Sequence, residues 1–89
     1  MITQGEWLKA AATFTKTLKL LDSAPDDELR ATVLSNRSAS FVKLAKARQA
    51  LADAEQAVAL RPTWDKACFR RGIALEVRRA RLHRTREPL

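Results

Sequence analysis

Leu34-Ser35-Asn36-Arg37-Ser38-Ala39-Ser40-Phe41 and Cys68-Phe69-Arg70-Arg71-Gly72-Ile73-Ala74-Leu75 lie 34 residues apart and repeat one pattern. Slid onto each other, Leu34, Arg37, Ser38, Ala39 and Phe41 meet Cys68, Arg71, Gly72, Ile73 and Leu75, so small residues meet small and apolar residues meet apolar. A shift of 40 aligns Trp7, Ala10, Phe14 and Leu20 with Ala47, Ala50, Ala54 and Leu60. That offset is expected of the same period interrupted by six inserted residues near Ala24 to Leu29. Self-similarity at such a period marks stacked supersecondary units, each unable to bury its apolar face alone.

The repeated segments read as helices. Trp7, Ala10, Ala11, Phe14, Leu18 and Leu21 recur every three or four residues, which predicts a first helix over about 5–21 with one apolar face. Asp22-Ser23-Ala24-Pro25-Asp26-Asp27 then breaks the chain. Ser23 is expected to cap the next helix, with Pro25 in its first turn and Asp26, Asp27 and Glu28 at the positive end of its dipole. Leu29, Val33, Leu34, Ala39, Phe41, Val42 and Leu44 carry that helix until the apolar pattern shifts phase between Leu44 and Ala47. Ala47, Ala50, Leu51, Ala54, Ala57, Val58 and Leu60 make a third helix whose small residues let a neighbour approach closely. After Arg61-Pro62, Thr63 is expected to cap a fourth helix over about 64–79, with Ala67, Cys68, Phe69, Ile73, Ala74, Leu75 and Val77. The expected fold class is all-α: an antiparallel helix-turn-helix stack of about four helices.

The composition agrees. Apolar residues make up 46% of the chain and aromatics only 6%, Tyr is absent, and Ala, Leu, Lys and Arg dominate, which favours helix over sheet. A chain of 89 residues makes one small domain, burying roughly 60 to 65% of the surface that it exposes when unfolded. Trp7, Phe14, Phe41, Trp64 and Phe69 recur at helical spacing among Ala and Leu and are expected in the core. The single cysteine, Cys68, has no second thiol for a disulfide or a zinc site; it reads as a small buried hydrophobe in a reducing compartment. No apolar stretch approaches the roughly 18 residues of a membrane span, and Met1-Ile2-Thr3-Gln4 lacks the basic start of a secretion signal. A soluble, cytoplasmic protein is expected.

Enzymatic function is disfavoured. One His, one Cys, no glycine-rich phosphate loop and no spaced metal ligands offer no nucleophile with a base to activate it, and no cofactor or metal is implied. The formal charge of +7 would draw anionic partners from a distance. It is concentrated between Lys66 and Arg86, where Lys66, Arg70, Arg71, Arg78, Arg79, Arg81, Arg84 and Arg86 face only Glu76. His83, among these arginines, reads as solvated. The arginine-rich end could neutralise phosphates, but it lacks interleaved aromatics and any base-reading motif, so a nucleic-acid partner is a secondary reading.

In the middle of the chain, Leu34, Ser38, Phe41, Ala50, Ala54, Ala57 and Pro62 follow one another in a pattern that resembles the tetratricopeptide-repeat family. That family sets a large residue, a small one and an aromatic in one helix, then Ala, aromatic, Ala and Pro; Ala54 is smaller than its usual aromatic. The resemblance implies a partial repeat domain over 1–77: the second helix of repeat one at about 5–21, repeat two at about 26–62, and the first helix of repeat three at about 64–79. The family's opening helix has no counterpart ahead of Gly5, and residues 78–89 make a basic C-terminal tail.

Ser35-Asn36-Arg37-Ser38-Ala39 and Lys66-Ala67-Cys68-Phe69-Arg70-Arg71-Gly72 further resemble the subgroup of co-chaperones that grips the C-terminal tails of heat-shock chaperones, which end in Glu-Glu-Val-Asp. The resemblance implies that Asn36, Lys66 and Arg70 bind the terminal carboxylates, with Ala39 and Lys43 as secondary peptide contacts. Two further clamp residues of the subgroup, a Lys and an Asn, come from the helix that is absent here. The chemistry fits the spacing, because Lys66 and Arg70 stand four apart on one helix face and Asn36, one repeat earlier, offers a neutral amide. Composition alone would make Lys66 and Arg70 a solvated basic face; the surrounding motif favours a ligand role. Asn36 is unfavourable in mid-helix and gives independent support. Self-association is the third reading, since a repeat array needs end caps and neither terminal helix has one.

Overall fold

A computed structural model of the chain describes residues 2–86, with side chains as far as Leu82. It consists of α1 (Gln4–Ser23), α2 (Asp27–Lys43), α3 (Ala47–Leu60) and α4 (Asp65–Arg86), with no strand among the described residues. The all-α helical stack expected from the repeat is therefore observed.

Side chains and turns set the helix ends. Thr3 caps α1, its Oγ1 accepting from the Glu6 N–H at 3.3 Å. The cap of α2 is Asp26, whose Oδ1 accepts from the Leu29 N–H at 3.0 Å, and Ser23, expected in that role, is instead the last residue of α1. Pro25 holds Ala24 out of the helical region, at φ −135° and ψ 75°, which separates Ser23 from α2. A carboxylate also suits the positive end of the helix better than a hydroxyl. The phase shift after Leu44 corresponds to a Schellman turn: Lys46 N–H donates to the Phe41 carbonyl at 2.8 Å and Ala45 N–H to the Val42 carbonyl at 3.0 Å. Ala45 takes the left-handed conformation this requires, at φ 59°.

Thr63 does not cap α4. The turn after Arg61 is closed by Trp64 N–H on the Arg61 carbonyl, and the Trp64 carbonyl accepts the first α4 amides, those of Ala67 and Cys68. The Arg61 guanidinium lies over the Trp64 ring at 4.6 Å, so Thr63 sits in the turn ahead of the cap. α4 runs to Arg86 instead of ending near Arg79, because no Gly or Pro follows Gly72 until Pro88 and Arg, Ala and Leu propagate a helix well. The side chains of His83, Arg84 and Arg86 lie outside the described residues.

α2 is the centre of the stack and packs on α1, α3 and α4, while α3 also packs on α4. The core is built largely of alanine: Ala31, Ala50, Ala54, Ala57, Ala67 and Ala74 are completely buried, and Leu34 is 2% exposed. Such small residues allow near-backbone contact, and Ser38 Oγ donates to the Ala50 carbonyl at 2.7 Å across the α2/α3 seam. Trp7, Phe14, Phe41 and Trp64 are half-buried. Phe69, expected in the core, is 62% exposed, because no helix covers its side of α4. Cys68 is half-buried, its thiol 3.8 Å from the Pro62 carbonyl.

Candidate peptide-binding groove

Asn36, Ala39 and Lys43 succeed one another at three and four residues and so share one face of α2. Leu34, Ser38 and Phe41 occupy the opposite side. Asn36 and Ala39 are half-buried and Lys43, in the last turn, is exposed. The Asn36 carbonyl accepts from Ser40 Oγ at 3.4 Å, whereas its side-chain amide makes no hydrogen bond among the described residues. That amide is available to a ligand.

Lys66 and Arg70 sit one turn apart near the start of α4, beside the fully buried Ala67 and Ala74 that press this helix into the stack. Because α4 packs on α2, the two cations and Asn36 stand on neighbouring helices. The 34-residue repeat makes Arg70 the positional counterpart of Asn36. Among the described residues neither Lys66 nor Arg70 has an acidic partner, and the buried Arg70 Nε has no hydrogen-bond partner. A buried guanidinium N–H without an acceptor is costly.

Residues that the sequence reading passed over complete the picture. Arg37 Nε and Nη2 donate to Asp53 Oδ2 and Oδ1, each at 2.7 Å, and Nη1 donates to Thr15 Oγ1 at 2.9 Å. The bond to Asp53 raises the Arg37 pKa above its ordinary value, burial opposes it, and the charge of Asp53 adds to the rise. This linkage fastens α1, α2 and α3 behind the face that carries Asn36. A mid-helix Arg followed sixteen residues later by an Asp among alanines was the only signal for it.

A concavity of about 800 Å³ lies between the α2/α3 turn and the far half of α4. Lys46, Arg48, Arg78 and Arg81 line it together with Leu44 and Leu51, with no acidic residue among the lining, and Arg81 Nη1 donates to the Ala45 carbonyl at 3.2 Å. The sequence showed Arg78 and Arg81 as part of a basic run, but Lys46 and Arg48 join them only in the folded chain. Among the described residues there is no cluster of three or more His, Cys, Asp or Glu that could hold a metal ion, and no helix is long and apolar enough to cross a membrane.

No family model matches the chain, and no solved structure matches it. Among curated proteins it is 44% identical over 50 residues to Tetratricopeptide repeat protein 28 of Homo sapiens, a stretch covering 56% of this chain and 2% of that protein. The Mus musculus protein of the same name matches with the same figures. Protein STIP1 homolog of Dictyostelium discoideum is 36% identical over 73 residues, which cover 81% of this chain and 13% of that protein. The chain thus spans only a small part of the relatives it matches. With four stacked helices and a 34-residue internal repeat, these similarities support the tetratricopeptide-repeat family as the one to which this chain is related.

Proposed function

We propose that this chain is a protein–protein interaction module of the co-chaperone kind, which holds an acidic peptide ending in a free carboxylate, such as the Glu-Glu-Val-Asp tail of a heat-shock chaperone. Lys66 and Arg70 take the carboxylates, Asn36 donates its amide from the adjacent helix, and Ala39 and Lys43 touch the peptide further along α2. The observation that carries this is the pair Lys66 and Arg70: two cations one turn apart on α4, neither with an acidic partner among the described residues. The resemblance of the Asn36 and Lys66 to Arg70 segments to the clamp subgroup supports the same residues. The module comprises residues 1–77, with 78–89 a basic extension, and works in the cytoplasm. It performs no chemistry on its partner.

Fluorescence anisotropy with labelled peptides ending in Glu-Glu-Val-Asp, as free acid and as amide, tests the reading on the wild type and on Arg70→Ala. Binding of the acid alone, abolished by Arg70→Ala, is the expected result. Equal binding of acid and amide, or binding of neither, overturns it. One observation favours a second reading: the cleft of Lys46, Arg48, Arg78 and Arg81 would take a phosphate or other polyanion, including nucleic acid. Steeply salt-dependent binding to single- and double-stranded oligonucleotides alike, lost in Arg78→Gln with Arg81→Gln but kept in Arg70→Ala, would establish it.

A further inference from the structure

The cations of the cleft between the α2/α3 turn and the far half of α4 come from two distant parts of the chain. Lys46 and Arg48 flank the start of α3, and Arg78 and Arg81 stand one turn apart on α4. All of them are exposed, whereas Ala47 and Leu51, which line the same cleft, are 2% and 7% exposed and so form its back. The cleft is apolar behind and basic around its mouth.

No acidic side chain among the described residues pairs with this charge. Lys46, Arg48, Arg78 and Arg81 make no ion pair there, and Glu76, the acidic residue nearest to Arg78 along α4, lies 3.8 Å from Arg79 instead. Arg81 Nη1 donates to the Ala45 carbonyl at 3.2 Å, which holds the guanidinium against the turn, and its other N–H groups have no partner among the described residues. Like charges gathered around one concavity repel one another and focus a positive potential into it, which an anion would relieve.

We propose that this cleft binds a small organic polyphosphate: a compact carbon ring bearing several phosphate monoesters, either as a free solute or as the headgroup of a lipid. The volume of about 800 Å³ is that of a small-molecule site. Lys46 and Arg48 take phosphates from the side of the turn, Arg78 and Arg81 from the side of α4, and the ring lies against Ala47 and Leu51. A guanidinium fork suits a phosphate because two N–H groups can donate to two of its oxygens. A nucleic-acid backbone, by contrast, spaces its phosphates along a line and is met by a stripe of cations. Here they surround one concavity, and no aromatic residue lines it for a base to stack on. The proposal rests on the reading of this cleft as an anion site and narrows it; Asn36, Lys66 and Arg70 take no part.

Isothermal titration of the chain with inositol hexakisphosphate is expected to show one saturable site. Lys46→Gln with Arg48→Gln, and Arg78→Gln with Arg81→Gln, are each expected to weaken it by at least about tenfold, since charge-assisted hydrogen bonds are lost. Lys16→Gln with Lys19→Gln removes the same charge from exposed positions on α1 and should change the affinity less than about twofold. Circular dichroism checks that every variant keeps its helices. Sedimentation with phosphatidylcholine vesicles, with and without phosphatidylinositol bisphosphate, separates the two sources: binding that needs the bisphosphate and is lost in both cleft variants assigns a lipid headgroup, and its absence assigns a free solute. Equal weakening by the α1 variant overturns the proposal. A mixed-sequence oligonucleotide that binds the cleft more tightly than inositol hexakisphosphate overturns it while leaving the anion site standing, whereas binding of neither ligand overturns both.

Discussion

Arg37 grips Asp53 with two parallel hydrogen bonds of 2.7 Å while its third nitrogen reaches Thr15 at 2.9 Å, so one guanidinium ties together three helices. Its plane also lies over Phe41 at 5.4 Å from the ring centre. Asp53 is 2% exposed, so removing its partner would leave a buried charge uncompensated. Asp53→Ala and Arg37→Ala are each expected to cost about 3 kcal/mol, a fall in Tm of roughly 15 °C for a domain of this size. Arg37→Lys keeps the charge but loses the fork and should fall between wild type and Arg37→Ala. Thermal melts followed by circular dichroism decide this; a loss below about 1 kcal/mol for Asp53→Ala would mean the linkage carries little stability. Because the Arg37 pKa is raised, its contribution holds below the guanidinium range and is lost only as pH climbs through it at strongly alkaline values.

In the groove, the cations should outweigh the amide. Lys66→Gln and Arg70→Ala are each expected to weaken a carboxylate-ended peptide by roughly ten- to a hundredfold, and Asn36→Ala by less, since hydrogen bonds to charged groups are worth about 1.5 to 3 kcal/mol and neutral ones about 1. Lys66 is exposed, so Lys66→Gln should leave Tm unchanged. Isothermal titration beside a melt separates lost binding from lost folding, and a larger effect from Asn36→Ala than from Arg70→Ala would contradict the roles assigned.

Ala45 closes the Schellman turn with a positive φ of 59°, a conformation that costs an L-residue roughly 1–2 kcal/mol. Ala45→Gly is therefore expected to raise stability by up to about 1 kcal/mol, the gain being reduced by the greater freedom of glycine in the unfolded chain. The Ala45 carbonyl that accepts from Arg81 is kept in this variant. Urea titration gives the sign, and a clear loss of stability would show that the turn is not strained.

Ser35 is completely buried, and its hydroxyl has no hydrogen-bond partner among the described residues. Ser35→Ala removes an unsatisfied polar atom with almost no change of shape, so it should be neutral or stabilising by about 1 kcal/mol. Ser38, by contrast, is bonded to the Ala50 carbonyl, and Ser38→Ala should destabilise by about 1 kcal/mol. Opposite signs for two serines three residues apart on one helix would be seen in parallel melts; the same sign for both would contradict the hydrogen-bond assignment.

The repeat made the four helices legible, since Leu34 against Cys68 and Ala10 against Ala50 reveal a period without any need for propensity. Helix ends were less legible. Ser23 and Thr63 are good capping residues, but the actual starts of α2 and α4 follow Asp26 and Trp64, because Pro25 and the turn closed on the Arg61 carbonyl decide where the backbone can enter the helix. Of the candidate site, residue identities and faces could be read in advance. The burial of the Arg70 Nε could not, since exposure depends on how the helices pack around it.

The division has a physical cause. Helical periodicity, turn chemistry and the 34-residue repeat are local or translational properties of the chain, so the sequence by itself determined that four helices stack in order and that Asn36 and Arg70 hold matching positions on successive helices. Burial and pairing are joint properties of residues far apart in sequence. Only the tertiary structure decided that Arg37 spends its charge on Asp53, that Lys66 and Arg70 keep theirs among the described residues, and that Phe69 and Gly72 are exposed.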